Sequence, residues 1–241
     1  MHRVHKSQIV AAVIALSVAI PRGLTETRDS LPSAEDIVNR MAQRDAERHA
    51  SFSGYTVLRR YEVVNGHRHA EMLVRLVCTA DGGKQFSILH EEGSGAIRKY
   101  VLRKMLEEES NASHRGTRES TRIAPANYSF DVIGMDLLDS HPTYILEVTP
   151  RTKSKYLIRG RIWVDAADYA IVRIEGSTAQ NPSFWTKSVH FVHTYQKVGD
   201  LWLAASTKSV TDVRIFGTAE LSISDFEYSP ADPHSEARLR P

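Results

Sequence analysis

The sequence predicts a mainly β protein of the α+β class, in which helices cover the concave face of a curved antiparallel sheet. Apolar and polar side chains alternate with a period of two through most of residues 53–223, which is typical of strands with one buried face. Two segments instead repeat apolar residues every three or four positions, as amphipathic helices do. The 241-residue chain has one cysteine, so an internal disulfide framework is excluded.

Two helices are predicted in the first half of the chain. Ser33 and Asp36 form a variant of the capping box, which begins a helix that runs to about Ala50 and has an apolar stripe of Ile37, Val38, Met41 and Ala42. Ser94 can cap the second helix, whose stripe contains Ile97, Tyr100, Val101, Leu102 and Met105. Both stripes need an apolar surface to lie on. The polar segment 111–126 that follows is expected to be a loop.

About ten strands account for the rest of the domain. Asn65-Gly66 and Asp81-Gly82-Gly83 mark the turns of a three-stranded antiparallel unit that begins near Tyr55. The later alternating segments begin near Tyr144, Tyr156, Ala170, Val189, Leu201, Val213 and Leu221. A sandwich, a closed barrel or a curved sheet with helices inside would each cover the apolar faces. The two amphipathic helices favour the curved sheet.

Residues 1–19 have the layout of a secretory signal peptide. Arg3 and Lys6 precede an apolar run, and a small-x-small cleavage pattern ends at Ala19. The apolar run is about twelve residues long, which is too short to span a bilayer. The signal peptide predicts that the mature protein is exported and periplasmic. A buried N-terminal helix or an uncleaved anchor is the alternative interpretation of residues 1–19.

A simple organisation is expected after the leader. We predict a polar connector at residues 20–32, a single domain at 33–229 and a flexible tail at 230–241, because no repeat or composition break divides the chain. The whole chain has 31 basic and 29 acidic residues, and two of the basic ones lie in the leader. The mature chain is then neutral, and its net charge gives no global attraction to nucleic acid or anionic lipid surfaces. No nucleic-acid partner is expected.

The sequence has no enzyme signature. Glu92-Gly93-Ser94-Gly95 is the nearest approach to a Gly-x-Ser-x-Gly nucleophile motif, and helix capping explains Ser94 better. Cys78 alternates with apolar strand residues and is interpreted as a packed thiol. His67 and His69 flank a turn without a third ligand at a defined spacing. The sequence therefore predicts no catalytic residue, no metal site and no cofactor.

Two adjacent strand motifs resemble those of a known family. Gly160-Arg161-Ile162-Trp163-Val164-Asp165 and the following Ala170–Gly176 are similar to a strand pair of LolA-like outer-membrane lipoprotein-sorting proteins. The blocks Asn127–Phe130 and Pro182–Thr186 resemble an uncharacterised bacterial branch of that group. The resemblance extends over roughly residues 33–229. It implies an unclosed barrel with helices on its concave side, in a periplasmic protein that shields the acyl chains of lipoproteins.

We therefore predict a non-enzymatic carrier that binds lipoprotein acyl chains, or another lipid, in an apolar cavity between sheet and helices. An acyl chain costs about 0.8 kcal/mol per methylene exposed to water, so a carrier needs such a cavity. The candidate lining residues are Val57, Tyr61, Met72, Val74, Tyr100, Val101 and Met105. The alternative is an envelope sensor or adaptor that uses the same fold to bind a protein partner. A hydrolase is a third possibility, for which the sequence shows no converging polar groups.

Arg59 is singled out because it shares the parity of Tyr55, Val57 and Tyr61 on an otherwise apolar strand face. A charge in that position must find a partner or meet water in a cavity, unless a local twist or bulge exposes it. In LolA itself, an arginine on an early strand holds a helical lid through hydrogen bonds to helix carbonyls. The resemblance therefore implies that Arg59 acts as a polar latch.

Overall fold

The structure is a computed structural model, and it describes residues 31–113, 115–181, 186–213 and 217–231. The side chains of residues 115–117, 186–187 and 213 are not described. The predicted signal peptide and most of the predicted connector and tail lie outside these ranges, as does most of the Pro182–Thr186 block. Within them, no helix combines the length and the apolar character needed to cross a membrane.

Ten antiparallel strands form one sheet: β1 Tyr55–Asn65, β2 Arg68–Cys78, β3 Lys84–Gly93, β4 Tyr128–Leu138, β5 His141–Pro150, β6 Ile158–Asp165, β7 Ile171–Thr178, β8 Thr186–Val198, β9 Leu201–Val213 and β10 Gly217–Pro230. Their order is β3-β2-β1-β10-β9-β8-β7-β6-β5-β4. The first and last strands therefore pair in the interior of the sheet, and β3 and β4 are its two edges. Because these edges do not pair with each other in the described chain, the barrel is unclosed, and the predicted fold class is confirmed.

Two strands differ from the sequence prediction, although the total agrees. β4 was not predicted, because a bulge between Val132 and Gly134 interrupts its alternation. β9 is one continuous strand, whereas the sequence indicated two short ones near Leu201 and Val213. The middle of β9, Ser206–Ser209, is polar and interrupts the alternation of apolar residues. The backbone of β9 nevertheless pairs with β8 and β10 throughout this part.

The helices lie against one face of this sheet. They are α1 Ala34–Ala50, α2 Gly95–Ile97, α3 Arg103–Ala112 and α4 Arg115–Thr121, with a π segment, Arg98–Leu102, joining α2 to α3. The hydroxyl of Ser33 accepts the backbone N–H of Asp36 at 3.1 Å, so the first predicted cap is confirmed. Ser94 occupies the second cap position but makes no capping side-chain bond. α4 lies in the segment that was expected to be a loop.

The predicted second helix consists of α2, the π segment and α3 in the structure. The π segment determines which of its side chains are buried. Ile97 and Leu102 are five residues apart, which matches one π turn, and Leu106 follows after one α turn. These three side chains face the sheet and are at most 8% exposed. Tyr100 and Val101 are more exposed, at 68% and 38%.

Two separate hydrophobic clusters hold the helices on the sheet. The α1 cluster joins α1 to strands β4–β7, and its buried members are Ile37, Val38, Met41, Tyr128, Leu146, Val148, Leu157, Ile162, Val164 and Ile174. The α3 cluster joins the second helix to β1 and β2, and its buried members are Tyr61, Val63, Ala70, Met72, Val74, Ile97, Leu102 and Leu106. Each helix thus covers its own part of the concave face.

Replacing Ser33 by alanine tests the α1 cap. We expect Ser33→Ala to lower the free energy of unfolding by about 1 kcal/mol, because it leaves an N–H of the first turn without its acceptor. Urea unfolding followed by circular dichroism measures this. Ser33→Thr keeps an acceptor and should remain close to the wild type; equal destabilisation by both variants would contradict the capping role.

Candidate functional site

A cavity of about 400 Å³ lies beneath α1. Its floor is formed by β7, β8 and the start of β9, and one wall by residues 122–125. Most of the lining is apolar: Val38, Met41, Ala42, Ile123, Ala124, Pro125, Tyr169, Ala170, Ile171, Ile174, Tyr195 and Trp202. Asp45, Arg48 and Arg122 are the charged lining residues. The cavity has the volume of a small-ligand site and the lining of an apolar one.

α1 forms the roof of this cavity and is attached at its edges by polar contacts. Arg40 donates to the hydroxyl of Tyr169 at 3.1 Å, and Arg48 donates to the carbonyl of Asp168 at 2.9 Å. Asp45 forms an ion pair with Arg122 in which both side chains are about half exposed. The Arg48 bond is partly buried, and the two exposed contacts contribute about 0–1 kcal/mol each. The apolar stripe is therefore the main attachment of α1.

A second cavity of about 300 Å³ adjoins the first at the C-terminal half of α1. The two share Asp45, Arg48 and Trp202 as lining residues. The second extends toward Cys78, whose thiol pKa is raised mainly by burial. A thiol in this state is not a nucleophile, in agreement with the interpretation of Cys78 as a packed residue.

The residues predicted to line a cavity lie elsewhere, around the α3 cluster. Val57, Tyr61, Met72 and Val74 are all 0% exposed, and the last three pack in the α3 cluster. Met105 packs at its border and is half-buried. Tyr100 and Val101 are exposed, as described above. The structure thus brings the strand residues together in a packed core and places the cavity of about 400 Å³ under the other helix.

The sequence did contain a signal for the observed cavity. The α1 stripe of Ile37, Val38 and Met41 was recognised as needing an apolar surface, and it lies over the cavity floor. The floor residues Tyr169 and Tyr195 were not singled out, because nothing local distinguishes an aromatic side chain in a cavity from one in a core.

Arg59 lies at the centre of a buried ion network between the sheet and α3. Its guanidinium donates to both carboxylate oxygens of Asp225, at 2.5 and 2.6 Å, and to Oε1 of Glu109 at 2.7 Å. Lys84 Nζ donates to the same Glu109 oxygen at 2.7 Å, and the Tyr61 hydroxyl donates to the other at 3.2 Å. Arg59 therefore bonds a carboxylate of the helix, whereas the resemblance implied helix carbonyls. No twist exposes it, since it is 6% exposed.

The charges of this network hold one another ionised. Burial alone would raise the pKa of Glu109, but Lys84 and Arg59 lower it to about 2. The pKa of Arg59 is raised by Asp225 and Glu109 against the effect of burial. Both groups stay charged at neutral pH. Removing either partner would leave a buried charge uncompensated, so the network fixes α3 to β1 and β10.

His193 on β8 lies close enough to this network to be affected by its charge. Burial, followed by the charges of Arg59 and Lys84, lowers the pKa of His193 to about 4. Its Nδ1 lies 2.5 Å from the hydroxyl oxygen of Thr207, and its ring meets that of Tyr195 edge-on. His193 is therefore neutral at the pH at which the protein is expected to work. In the described ranges, no group of three or more His, Cys, Asp or Glu residues is arranged to hold a metal ion.

Comparison with known proteins gives likenesses of fold only. No family model matches the sequence, and no curated protein matches it. Three solved structures similar to the chain are a DUF1329 family protein from Desulfovibrio piger (TM-score 0.44, 11% identity, 86% of this chain and 96% of that chain), a putative outer membrane lipoprotein-sorting protein domain from Vibrio parahaemolyticus (0.42, 10%, 85% and 97%) and a LolA superfamily protein from Nitrosomonas europaea (0.36, 9%, 87% and 98%).

The structures similar to this chain thus include members of the group that the sequence resembles. At these identities and TM-scores the likeness carries no statement about activity or ligand. What the protein does has to be argued from its own residues.

The ion network yields a stability prediction. Glu109→Gln is expected to lower the free energy of unfolding by about 2 kcal/mol, because Arg59 and Lys84 lose a charged acceptor while Asp225 still holds Arg59. Glu107→Gln, on the exposed side of the same helix, should change it by less than about 0.5 kcal/mol. Denaturant unfolding at pH 7 measures both. Equal effects of the two variants would contradict the network.

His193 yields a pH prediction. A histidine with a lowered folded pKa binds its proton more readily in the unfolded state, so its contribution to stability is present above pH 6.5 and is lost as pH falls toward 4. The full loss is about 3 kcal/mol for a shift of this size. We expect His193→Gln to flatten the pH dependence of unfolding over this window. His190→Gln, on the same strand and exposed, should leave the dependence unchanged; a flattened curve for both would contradict this assignment.

Proposed function

We propose that the protein is a non-enzymatic periplasmic carrier that binds an acyl chain, from a lipoprotein or another lipid, in the cavity beneath α1. The observation that carries this proposal is the cavity of about 400 Å³ with apolar walls, roofed by an amphipathic helix. The export that a periplasmic role requires rests on the predicted signal peptide at residues 1–19.

The physical chemistry of an acyl chain matches this space. Transfer of each methylene from water to an apolar site gains about 0.8 kcal/mol, so a buried segment of ten methylenes gains roughly 8 kcal/mol. The cavity and its neighbour of about 300 Å³ share three lining residues, which supports an elongated occupant. Asp45, Arg48 and Arg122 stand among the lining residues as the groups able to meet a polar head.

Entry requires the roof to move, and α1 is the helix that can do so. Its polar contacts are mostly exposed and weak, and an incoming chain would replace the apolar contacts of Val38 and Met41. α3, in contrast, is held by the buried bonds of Glu109 to Arg59 and Lys84. A helix can lift from a sheet without breaking any strand pair, so α1 opens while the sheet and α3 stay in place.

The chemistry of the lining favours binding over catalysis. Among the described residues that line the cavity there is no serine, cysteine or histidine. Asp45, its one carboxylate, is paired with Arg122. No acid–base pair or nucleophile is therefore found among the described residues that line this cavity. The adjoining cavity is lined in part by His49 and Cys78, and burial raises the pKa of the Cys78 thiol.

One observation favours the alternative of an envelope adaptor. Strand β4 is an unpaired edge, and Ile133, Met135 and Leu137 on it are 47%, 48% and 65% exposed. Such an edge can accept an additional strand from a protein partner. Recovery of one stoichiometric protein from cells, lost on Met135→Lys and Leu137→Lys substitution and free of lipid, would favour the adaptor over the carrier.

Native mass spectrometry of the protein purified from the periplasm tests the proposal. We expect an added mass that corresponds to a lipid, or uptake of offered acyl lipid by protein freed of its ligand. A clean mass with no uptake of lipid or lipoprotein would overturn the carrier function.

A bulky side chain at the cavity mouth provides a site-specific test. Ala42 lines the cavity and is exposed, so Ala42→Trp should obstruct it with little effect on folding. Ala46→Trp, one turn later and exposed, is the matched control. We expect at least tenfold weaker acyl-chain binding for Ala42→Trp alone, since loss of about two methylene contacts already has that effect. Equal binding by both variants would place the ligand elsewhere.

A further inference from the structure

The outward side of the second helix carries two adjacent apolar side chains that the described part of the chain does not cover. Tyr100 and Val101 are 68% and 38% exposed. They lie in the π segment Arg98–Leu102, between the buried residues Ile97 and Leu102 in sequence. Exposed apolar residues are ordinary when scattered singly. Here two of them, Tyr100 and Val101, are neighbours in a segment, Arg98–Lys104, whose charged side chains are all cations.

The segment from Arg98 to Lys104 contains four cations and no carboxylate. Arg98 and Arg103 both donate to Oε1 of Glu91, at 3.0 and 2.7 Å, so these two charges are satisfied internally. Lys99 and Lys104 are exposed, and neither forms an ion pair within the ranges that the structure describes. The Lys99 ammonium lies 5.2 Å from the centroid of the Tyr100 ring. Two lysines without acidic partners thus flank the two exposed apolar residues.

We propose that this patch, Lys99, Tyr100, Val101 and Lys104, docks the protein on an anionic bilayer surface. Lysine stems lie along apolar surface while their ammonium groups reach phosphates. A tyrosine ring places its apolar body in the lipid and its hydroxyl in the headgroup layer. A short helical segment with basic and aromatic side chains can lie in that layer.

The shape and size of the patch favour a bilayer over a protein partner. Tyr100 protrudes from the surface, and a stable protein interface needs about 800 Å² on each side, far more than four side chains provide. An anionic bilayer needs no complementary pocket. The net charge of the whole chain does not reveal this patch, because the four cations of Arg98–Lys104 lie within seven residues and are balanced by acidic residues elsewhere.

Vesicle binding tests the proposal. The protein, purified from the periplasm, is sedimented with vesicles of phosphatidylglycerol and phosphatidylethanolamine, and separately with vesicles of phosphatidylcholine alone. We expect binding to the anionic vesicles that weakens with salt. The double variant Lys99→Gln/Lys104→Gln and the variant Tyr100→Ala should each have a vesicle affinity at least tenfold lower than that of the wild type. The altered side chains are exposed, so thermal unfolding should be unchanged.

A matched control comes from a second lysine–tyrosine pair. Lys155 lies 4.7 Å from the ring centroid of Tyr156, and Tyr156 is 45% exposed. Glu108 bonds both residues, so this pair has no free charge. Lys155→Gln/Tyr156→Ala should therefore keep vesicle binding.

Three outcomes would overturn the proposal: no binding of the wild type to anionic vesicles, equal loss in the control, or recovery of a protein instead of lipid by a photo-crosslinker at position 100. The inference does not depend on the cavity ligand. Ala42→Trp should retain vesicle binding even where it abolishes acyl-chain binding, so the two proposals fail separately.

Discussion

The concave face of an unclosed sheet has to be covered, and the rest of this structure follows from how that is done. The ten strands have a largely apolar concave face and do not close on themselves in the described ranges, since β3 and β4 are the edges of the sheet. Apolar surface of this extent cannot stay in water. Two helical segments therefore cover separate parts of it, and each forms its own cluster.

The two helical segments that cover the sheet, α1 and α3, differ in how they are attached to it. α3 packs over the buried Tyr61, Met72 and Val74 and is fixed by the carboxylate of Glu109. α1 leaves a cavity beneath its apolar stripe and makes polar contacts only at its edges. One helix is thus part of the packed core, and the other covers the cavity in which we propose that an acyl chain binds.

Much of the fold could be predicted from sequence because strand alternation and helix stripes report burial directly. They do not report how completely a buried face is packed, so Met72 and Val74 could be recognised as residues of the concave face but not assigned to a core or to a cavity. Tyr100 and Val101 were placed on the apolar stripe with a 3.6-residue period, whereas the π segment Arg98–Leu102 changes that period and both side chains are exposed. Arg59 was recognised as a charge on an apolar face. Its partner Asp225 was recognisable in the same way, since it continues the parity of Leu221 and Ile223 on β10, whereas Glu109 depends on tertiary packing.

We propose that the acyl chain lies beneath α1, and a crystal structure with a brominated fatty acid bound would show its position. Anomalous scattering identifies the bromine atom, so the chain cannot be mistaken for solvent. We expect bromine positions among Met41, Ile174 and Tyr195, with α1 raised from the sheet. Bromine among Met72 and Val74 under α3, or only on the outer surface, would contradict it.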